Sequence, residues 1–104
     1  MDVDYRIVIE DYSFTWDPAK AELNIRKHDV TFDEACEVFF YPYYDMVDVS
    51  VHEEQRWAFI GYSRRGRLLH VTAVDGGDDA WRIVSAREVT SKERKNYEED
   101  DDTC

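Results

Sequence analysis

Strand-like segments and tight turns alternate in the second half of the chain, and this pattern limits the fold more than any other feature. Beyond Pro42, four segments are rich in β-branched and aromatic residues: "DMVDVSV", "RWAFIGYS", "RLLHVTAV" and "WRIVSAREV". The connections "SRRGR" and "DGGDD" contain glycine, and Gly66 is suited to a positive φ. Consecutive strands joined by such turns predict an antiparallel meander.

An extended segment and a helix come before the meander. The stretch "YRIVIEDYSFTW" carries β-branched and aromatic residues and predicts a strand. In "WDPAK", Asp17 is a favourable N-cap and Pro18 suits the first helical position, so a helix is predicted from Pro18 to about His28. Asn24 and His28 are four residues apart and share one face of this helix.

Capping boxes mark two further helices. Thr31 and Glu34 begin one helix, which Pro42 ends, and Thr90 and Glu93 begin another near the C-terminus. An apolar stripe at helical spacing follows the first box and is expected to face the core: Phe32, Ala35, Cys36, Phe39 and Phe40. These patterns predict an α+β fold in which an N-terminal strand and two helices pack on a small antiparallel meander, with a C-terminal helix.

The length of 104 residues indicates a single domain, expected at residues 1–99, with an acidic disordered tail at 100–104. No apolar run approaches the roughly 20 residues of a membrane span, and the start lacks a signal-peptide pattern, so a cytoplasmic protein is expected. Cys36 and Cys104 give neither a metal-binding spacing nor a disulfide framework. We expect Cys36 to be an inert core residue.

The formal net charge of −11 argues against nucleic-acid binding, but the charge is unevenly distributed. Acidic residues are concentrated in the first eleven residues and in the tail sequence "EEDDD". Between Arg56 and Tyr97, nine Lys and Arg residues outnumber five Asp and Glu residues. A basic face in the second half of the chain is therefore compatible with the composition.

Lys27 and His28 stand side by side at the predicted end of the first helix, and two interpretations stay open. Cations there stabilise the helix dipole and bind its last carbonyl groups. Histidine also exchanges protons near neutrality, because its ordinary pKa is about 6.5. The spacing alone does not distinguish a helix cap from a proton-transfer site.

Arginines are the other candidates, because the sequence contains no Gly-rich phosphate loop, metal-ligand cluster or nucleophile elbow. Strand arginines most often form surface ion pairs. Strict alternation predicts that Arg87 shares a strand face with Trp81, Ile83 and Ser85, where a guanidinium needs a partner or a ligand. Arg82 is expected on the opposite face.

Metal-independent RNA cleavage is one reaction that these residues permit. The reaction needs a base for the ribose 2′-hydroxyl, an acid for the leaving 5′-oxygen and cations for the developing phosphorane charge. Lys27 or His28 could exchange the protons, and the arginines could hold phosphate bidentately. The residues permit this reaction without selecting it.

Three segments together resemble the BrnT toxins of bacterial type II toxin–antitoxin systems. They are "FTWDPAKAELNIRKHDVTFDEACEVFFYP", "EEQRWAFIGYSRRGRLLHVTAV" and "RIVSAREVTSKERKNYEE", and the resemblance covers roughly residues 14–99. It implies a RelE-like fold and a metal-independent endoribonuclease that stops translation without a cofactor. It also implies a BrnA-like ribbon-helix-helix antitoxin that neutralises the toxin and supplies all contact with DNA, and it allows a heterotetramer of the two.

Site residues follow from the same resemblance. The catalytic residues that it implies are Lys27, His28, Arg67 and Arg87, and the substrate-binding residues are Arg56, Arg82 and Tyr97. Asp29 stands where the family usually has a glycine that closes the helix in a left-handed conformation. Glu88 stands where the family often has a second basic residue, and its charge would reduce the attraction for phosphate.

Two other functions stay open. A degenerate toxin that cuts no RNA could retain its antitoxin-docking surface and act in transcriptional autoregulation, and Glu88 and the acidic tail favour this reading. An adaptor domain whose tail mimics nucleic acid is supported by the charge alone. Independently, the aromatic stretch "FFYPYYDMV" predicts that Tyr41, Tyr43 or Tyr44 contacts a partner.

Overall fold

The computed structural model describes residues 3–102, with the side chains of residues 3–99, as a six-stranded sheet with three α-helices. The strands are β1 (Tyr5–Ile9), β2 (Tyr12–Trp16), β3 (Asp45–Asp48), β4 (Trp57–Tyr62), β5 (Leu68–Asp75) and β6 (Ala80–Glu88). The helices are α1 (Pro18–His28), α2 (Phe32–Glu37) and α3 (Ser91–Asp102), and a 3₁₀ turn at Val38–Phe40 continues α2. The predicted α+β class is confirmed.

The sheet has the order β1-β2-β6-β5-β4-β3. Strands β3 to β6 form the predicted antiparallel meander. The single N-terminal strand that we expected is instead a hairpin of β1 and β2, because Glu10 takes a left-handed φ of 53° and reverses the chain without a glycine. Strand β2 then pairs in parallel with β6, so the whole sheet is mixed.

Local signals place the helices as predicted. The Asp17 carboxylate accepts a hydrogen bond from the Ala19 backbone N–H at 2.9 Å and begins α1. Asp29 ends this helix in a left-handed conformation, with φ 55° and ψ 37°, so aspartate does serve here in the position that favours glycine. The Thr31 hydroxyl accepts from the Glu34 N–H at 3.0 Å and begins α2.

The hydrophobic core lies between α2 and one face of the sheet, which we call the first face. Phe39 packs against Phe59 in a tilted arrangement, with ring centroids 4.2 Å apart, and meets Phe14 edge-on at 5.0 Å. Trp16 packs against Phe32 at the other end of the helix. Cys36 is fully buried in this core, as expected, and burial raises the pKa of its thiol to about 12. The thiol is therefore protonated at neutral pH.

A register shift between β5 and β6 sets the second face of the sheet. Thr72 pairs with Ser85, but the next residue, Ala73, pairs with Ile83, so β6 carries one extra residue at Val84. Ile83 and Ala86 are consequently both buried on the first face, although they are three residues apart.

This bulge corrects the predicted faces of the two arginines of β6. Arg82, Ser85 and Arg87 pair with Val74, Thr72 and His70, which alternate along β5, so all three point to the second face. Arg87 therefore shares a face with Ser85, as predicted, but not with Trp81 or Ile83, and Arg82 is not opposite to Arg87. Strict alternation failed because the sequence gives no sign of the extra residue at Val84.

Helix α3 packs on the second face. The Tyr97 hydroxyl donates a hydrogen bond to the Tyr43 carbonyl oxygen at 2.8 Å, and its ring meets that of Tyr62 at 6.3 Å. The helix continues to Asp102, into the segment that we expected to be a disordered tail, and the boundary at residue 100 stays a prediction. The rest of that tail, residues 103 and 104, lies outside the described part of the chain.

Candidate active site

Asn24 fixes α1 beside the exposed edge of β6. Strand β2 pairs with β6 only as far as Arg82, so the following residues of β6 need other hydrogen-bond partners. The Asn24 side chain supplies them: its Oδ1 accepts from the Ala86 N–H at 3.1 Å, and its Nδ2 donates to the Ala86 carbonyl at 2.7 Å. A third bond joins Nδ2 to the Val30 carbonyl at 2.9 Å. This buried amide takes the place of a neighbouring strand.

The last turn of α1 and the bulged part of β6 enclose a cleft of about 260 Å³. Its lining consists of Lys20, Leu23, Asn24, Lys27, His28, Val84 and Ser85. Lys27 and His28 are exposed and make no side-chain hydrogen bond or ion pair with the described residues. Both groups are therefore available to a ligand that enters the cleft.

Arg87 lies two residues beyond Ser85 on the same face and is tied to α3. Its Nη1 and Nη2 atoms donate to the two Glu93 carboxylate oxygens at 2.8 and 3.0 Å. Hydrogen bonds from Arg87 lower the pKa of Glu93 to about 2, and the same pair raises the pKa of Arg87. The pair is therefore fully ionised at neutral pH.

Arg82 lies on the same second face of β6, at the opposite end of the strand from Arg87, and we call these two arginines the second-face row. Its Nε and Nη2 donate to the Asp4 carboxylate at 2.9 and 3.4 Å, and its side chain remains 39% exposed. Two-fifths exposure leaves the ion pair weak, because water screens it. A phosphate group can compete with Asp4 for this guanidinium.

Arg67 contacts the α1–α2 turn and is mostly buried, with 15% of its side chain exposed. It forms a bidentate ion pair with Glu34, which also accepts from the Ser63 hydroxyl at 2.7 Å. Its Nη2 donates to the Asp29 carbonyl at 2.8 Å, directly after His28. Hydrogen bonds from Arg67 lower the pKa of Glu34, so this carboxylate stays charged although it is buried.

Glu88 is directed towards Arg67 and away from Arg87. Glu88 pairs with Leu69 on the first face, and its carboxylate lies 3.8 Å from Arg67 Nη1. Because Arg87 points to the second face, the acidic residue that follows it in sequence does not lie beside it in the sheet. The expected repulsion of phosphate at Arg87 is therefore reduced by the geometry of the strand.

The remaining two candidates lie away from the cleft. Arg56 precedes β4 on the far side of the sheet, where it pairs with Glu54 at 3.1 Å and keeps one buried Nε atom without a partner among the described residues. Tyr97 is buried, and its hydroxyl is engaged by the Tyr43 carbonyl. The structure thus groups Lys27 and His28 with the second-face row of Arg82 and Arg87, and does not bring Arg56, Arg67 or Tyr97 into that row.

His70 is a candidate that the sequence did not reveal. It pairs with Arg87 across the sheet and is half-buried on the second face. Burial, followed by the positive charge of Arg87, lowers its pKa, so its imidazole is neutral at pH 7. Only the strand register brings His70 next to Arg87, since seventeen positions separate the two residues in the sequence.

The described residues contain neither a metal-binding cluster nor a membrane-spanning helix. Among them, no three His, Cys, Asp or Glu side chains converge in a way that could hold a metal ion. No helix in this part of the chain is long and apolar enough to cross a membrane.

The fold and the cleft define a small α+β protein with a row of cations on one sheet face. Residues 16–93 match the family model described as "Ribonuclease toxin, BrnT, of type II toxin-antitoxin system", so the chain belongs to the BrnT ribonuclease toxin family. The crystal structure of the Brucella abortus ribonuclease toxin, BrnT, has a similar fold, with a TM-score of 0.60 and 22% sequence identity. The likeness covers 73% of this chain and 94% of that one. No curated protein sequence gives a significant match.

The match begins at the last residue of β2. Asp4 and the hairpin residues that follow it lie before the part of the chain that the family model describes. The contact between Asp4 and Arg82 is therefore made by a segment outside the family match.

Proposed function

We propose that this chain is a metal-independent endoribonuclease that inhibits translation and is neutralised by a BrnA-like antitoxin. One observation carries the proposal. Lys27 and His28 have no partners among the described residues and line a cleft with Ser85, which shares the second face with Arg82 and Arg87. The proton-transfer groups of the cleft thus lie beside a strand face whose guanidinium groups suit a phosphodiester.

In the reaction that we propose, the ribose 2′-oxygen attacks the adjacent phosphorus and the 5′-oxygen leaves. The products are a 2′,3′-cyclic phosphate and a 5′-hydroxyl. Lys27 and His28 exchange the two protons, one taken from the 2′-hydroxyl and one given to the leaving oxygen. Arg87 and Arg82 stabilise the negative charge that develops on the phosphoryl oxygens.

The candidates outside the row of Arg82 and Arg87 support indirect roles. Arg67 binds the Asp29 carbonyl, so we propose that it affects catalysis by holding the turn that presents His28. Tyr97 anchors α3, and that helix carries the Glu93 partner of Arg87. Arg56 lies far along the sheet, where we propose that it meets a longer RNA rather than the cleaved bond.

RNA cleavage in EDTA tests this function. Purified protein is incubated with bulk RNA beside the variants Lys27→Ala, His28→Gln and Arg87→Ala, and the matched surface variant Lys92→Ala. We expect cleavage by the parent and by Lys92→Ala, and a loss of at least about tenfold in each of the other three. Equal cleavage by all five proteins would indicate a contaminating nuclease and contradict the proposal.

The antitoxin should bind the free edge of β3. Tyr43 is 68% exposed, and Met46 and Val47 expose apolar surface on the adjoining strand. We propose that Tyr43 anchors a BrnA-like antitoxin there, in a cytoplasmic heterotetramer that reaches DNA only through the antitoxin. Tyr43→Ser should weaken antitoxin binding, whereas Tyr5→Ser, at the opposite edge of the sheet, should not.

A catalytically degenerate toxin is the second candidate. The observation in its favour is that Arg56, Arg67 and Arg82 each pair with a carboxylate. This candidate predicts that purified, folded protein binds the antitoxin but leaves RNA intact. The cleavage experiment therefore separates the two functions.

A further inference from the structure

The ion pair with Glu93 occupies the Nη1–Nη2 end of the Arg87 guanidinium and leaves its Nε side without a partner among the described residues. Arg87 has five N–H donors, of which Glu93 takes one from Nη1 and one from Nη2. Nη1 also donates to the Glu88 carbonyl at 3.3 Å. The Nε atom makes no hydrogen bond with the described residues and is not fully buried. The edge formed by Nε and the second Nη2 hydrogen thus remains for a ligand.

Glu93 is itself held in place by the first turn of α3. Its Oε1 accepts from the Thr90 backbone N–H at 2.8 Å, and the Thr90 hydroxyl accepts from the Glu93 N–H at 3.1 Å. This reciprocal capping box restricts the carboxylate. The corresponding glutamate of α2 behaves differently, because Glu34 turns its side chain to Arg67 instead of its own N-cap. Glu93 therefore both caps α3 and binds Arg87, and the sequence motif alone indicates only the first of these roles.

We infer that Glu93 is a positioning residue for RNA cleavage: it holds Arg87 by its Nη1–Nη2 end and presents the Nε edge to the phosphate on the second face. The inference rests on the proposed function. An arginine side chain has several rotatable bonds, and fixing its fork before the substrate binds lowers the entropy cost of the transition state. Glu93 acts through Arg87 and does not touch the RNA.

A purely structural role for Glu93 makes a different prediction. If Glu93 only begins α3, then removing the other half of the capping box should affect the protein in the same way. Thr90→Ala removes the cap hydroxyl and leaves both carboxylate contacts with Arg87 possible. Comparing Glu93→Gln with Thr90→Ala therefore separates the position of Arg87 from the stability of the helix.

The experiment measures kcat and KM for a short RNA in EDTA, at a temperature where every variant is folded. We expect Glu93→Gln to lower kcat by at least about tenfold with a smaller change in KM, and Glu93→Asp to restore part of the loss. The kcat of Thr90→Ala and of Glu98→Gln should stay within about twofold of the parent value. Thr90→Ala lowers the melting temperature by removing the helix cap, and Glu98→Gln removes one charge from the same helix.

The outcomes distinguish this inference from the function on which it rests. A parent that cleaves RNA and a folded Glu93→Gln variant with parental kcat would overturn the positioning role and leave the ribonuclease intact. An equal loss of kcat in Thr90→Ala and Glu93→Gln would also overturn it, because the helix end would then be what matters. A folded parent that cleaves no RNA would overturn both.

Discussion

Arg82 and Arg87 point to the same face of the sheet although they are five positions apart on one strand. An unbroken strand would place them on opposite faces, since its side chains alternate. The extra residue at Val84 changes the alternation and directs both guanidinium groups to the surface beside the α1 cleft. One local irregularity therefore creates the cationic row on which the proposed function depends.

The row is partly covered by Asp4, and removing that carboxylate should strengthen RNA binding. Asp4→Asn removes the negative partner of Arg82 and frees its fork for phosphate. We expect the Kd for single-stranded RNA to fall several-fold at low salt, measured by fluorescence anisotropy. Asp11→Asn changes the net charge equally without touching Arg82. If both variants bind equally well, net charge alone explains the gain and Arg82 is not part of the RNA site.

Asn24 should contribute strongly to stability because its buried amide replaces a strand. Asn24→Ala leaves the Ala86 N–H, the Ala86 carbonyl and the Val30 carbonyl without their partners. We expect the free energy of unfolding to fall by about 3 kcal/mol in urea titrations. The exposed Asn96 on α3 provides the control, since Asn96→Ala should change it by less than about 0.5 kcal/mol. Similar values for the two variants would contradict the role of Asn24.

Arg67 should be more important for folding than for contact with RNA. Arg67→Met leaves the buried Glu34 carboxylate unpaired, and we expect a loss of about 3–5 kcal/mol in the free energy of unfolding. The double variant Glu34→Met with Arg67→Met removes the buried charge and should recover most of the loss. Calorimetry of the three proteins tests this. An Arg67→Met variant with parental stability and lower cleavage would indicate instead that Arg67 contacts the substrate.

Stability should depend on pH through Glu93. The pKa of Glu93 is about 2 in the folded protein, mainly because of the hydrogen bonds from Arg87. The pKa of a glutamate in the unfolded chain is about 4.3. A lowered carboxylate pKa contributes stability that is fully present above about 4.3 and is lost as the pH falls towards 2. Urea midpoints should therefore fall more steeply with acid in the parent than in Glu93→Gln. Parallel curves between pH 5 and pH 2 would rule out this contribution.

The sequence predicts the helices and the meander because their signals are local. Asp17 with Pro18, and Thr31 with Glu34, are cap residues that act within one turn of their own helix. The N-terminal hairpin was missed because its turn at Glu10 contains no glycine or proline. Its parallel pairing with β6 joins residues more than sixty positions apart, and no local pattern encodes that contact.

The candidate site was predictable only in part. Lys27 and His28 were predicted because they form a distinctive pair at a helix end. The structure places them at a cleft, and their catalytic role stays a prediction. The sequence does not distinguish Arg67 from Arg87, because both are strand-region arginines with the same charge. Only the structure shows that Arg67 is paired with the buried Glu34. His70 carries no motif of its own, and the register with Arg87 alone brings it to the site.

The chemistry of the cleaved ends tests the central claim most directly. A 5′-labelled RNA is incubated with the protein in EDTA, and the ends of its products are identified by mass spectrometry. Attack by the 2′-hydroxyl predicts 2′,3′-cyclic phosphate and 5′-hydroxyl ends, which should be lost in Arg87→Ala. Products with 3′-hydroxyl and 5′-phosphate ends, or intact RNA after incubation with folded protein, would contradict the account.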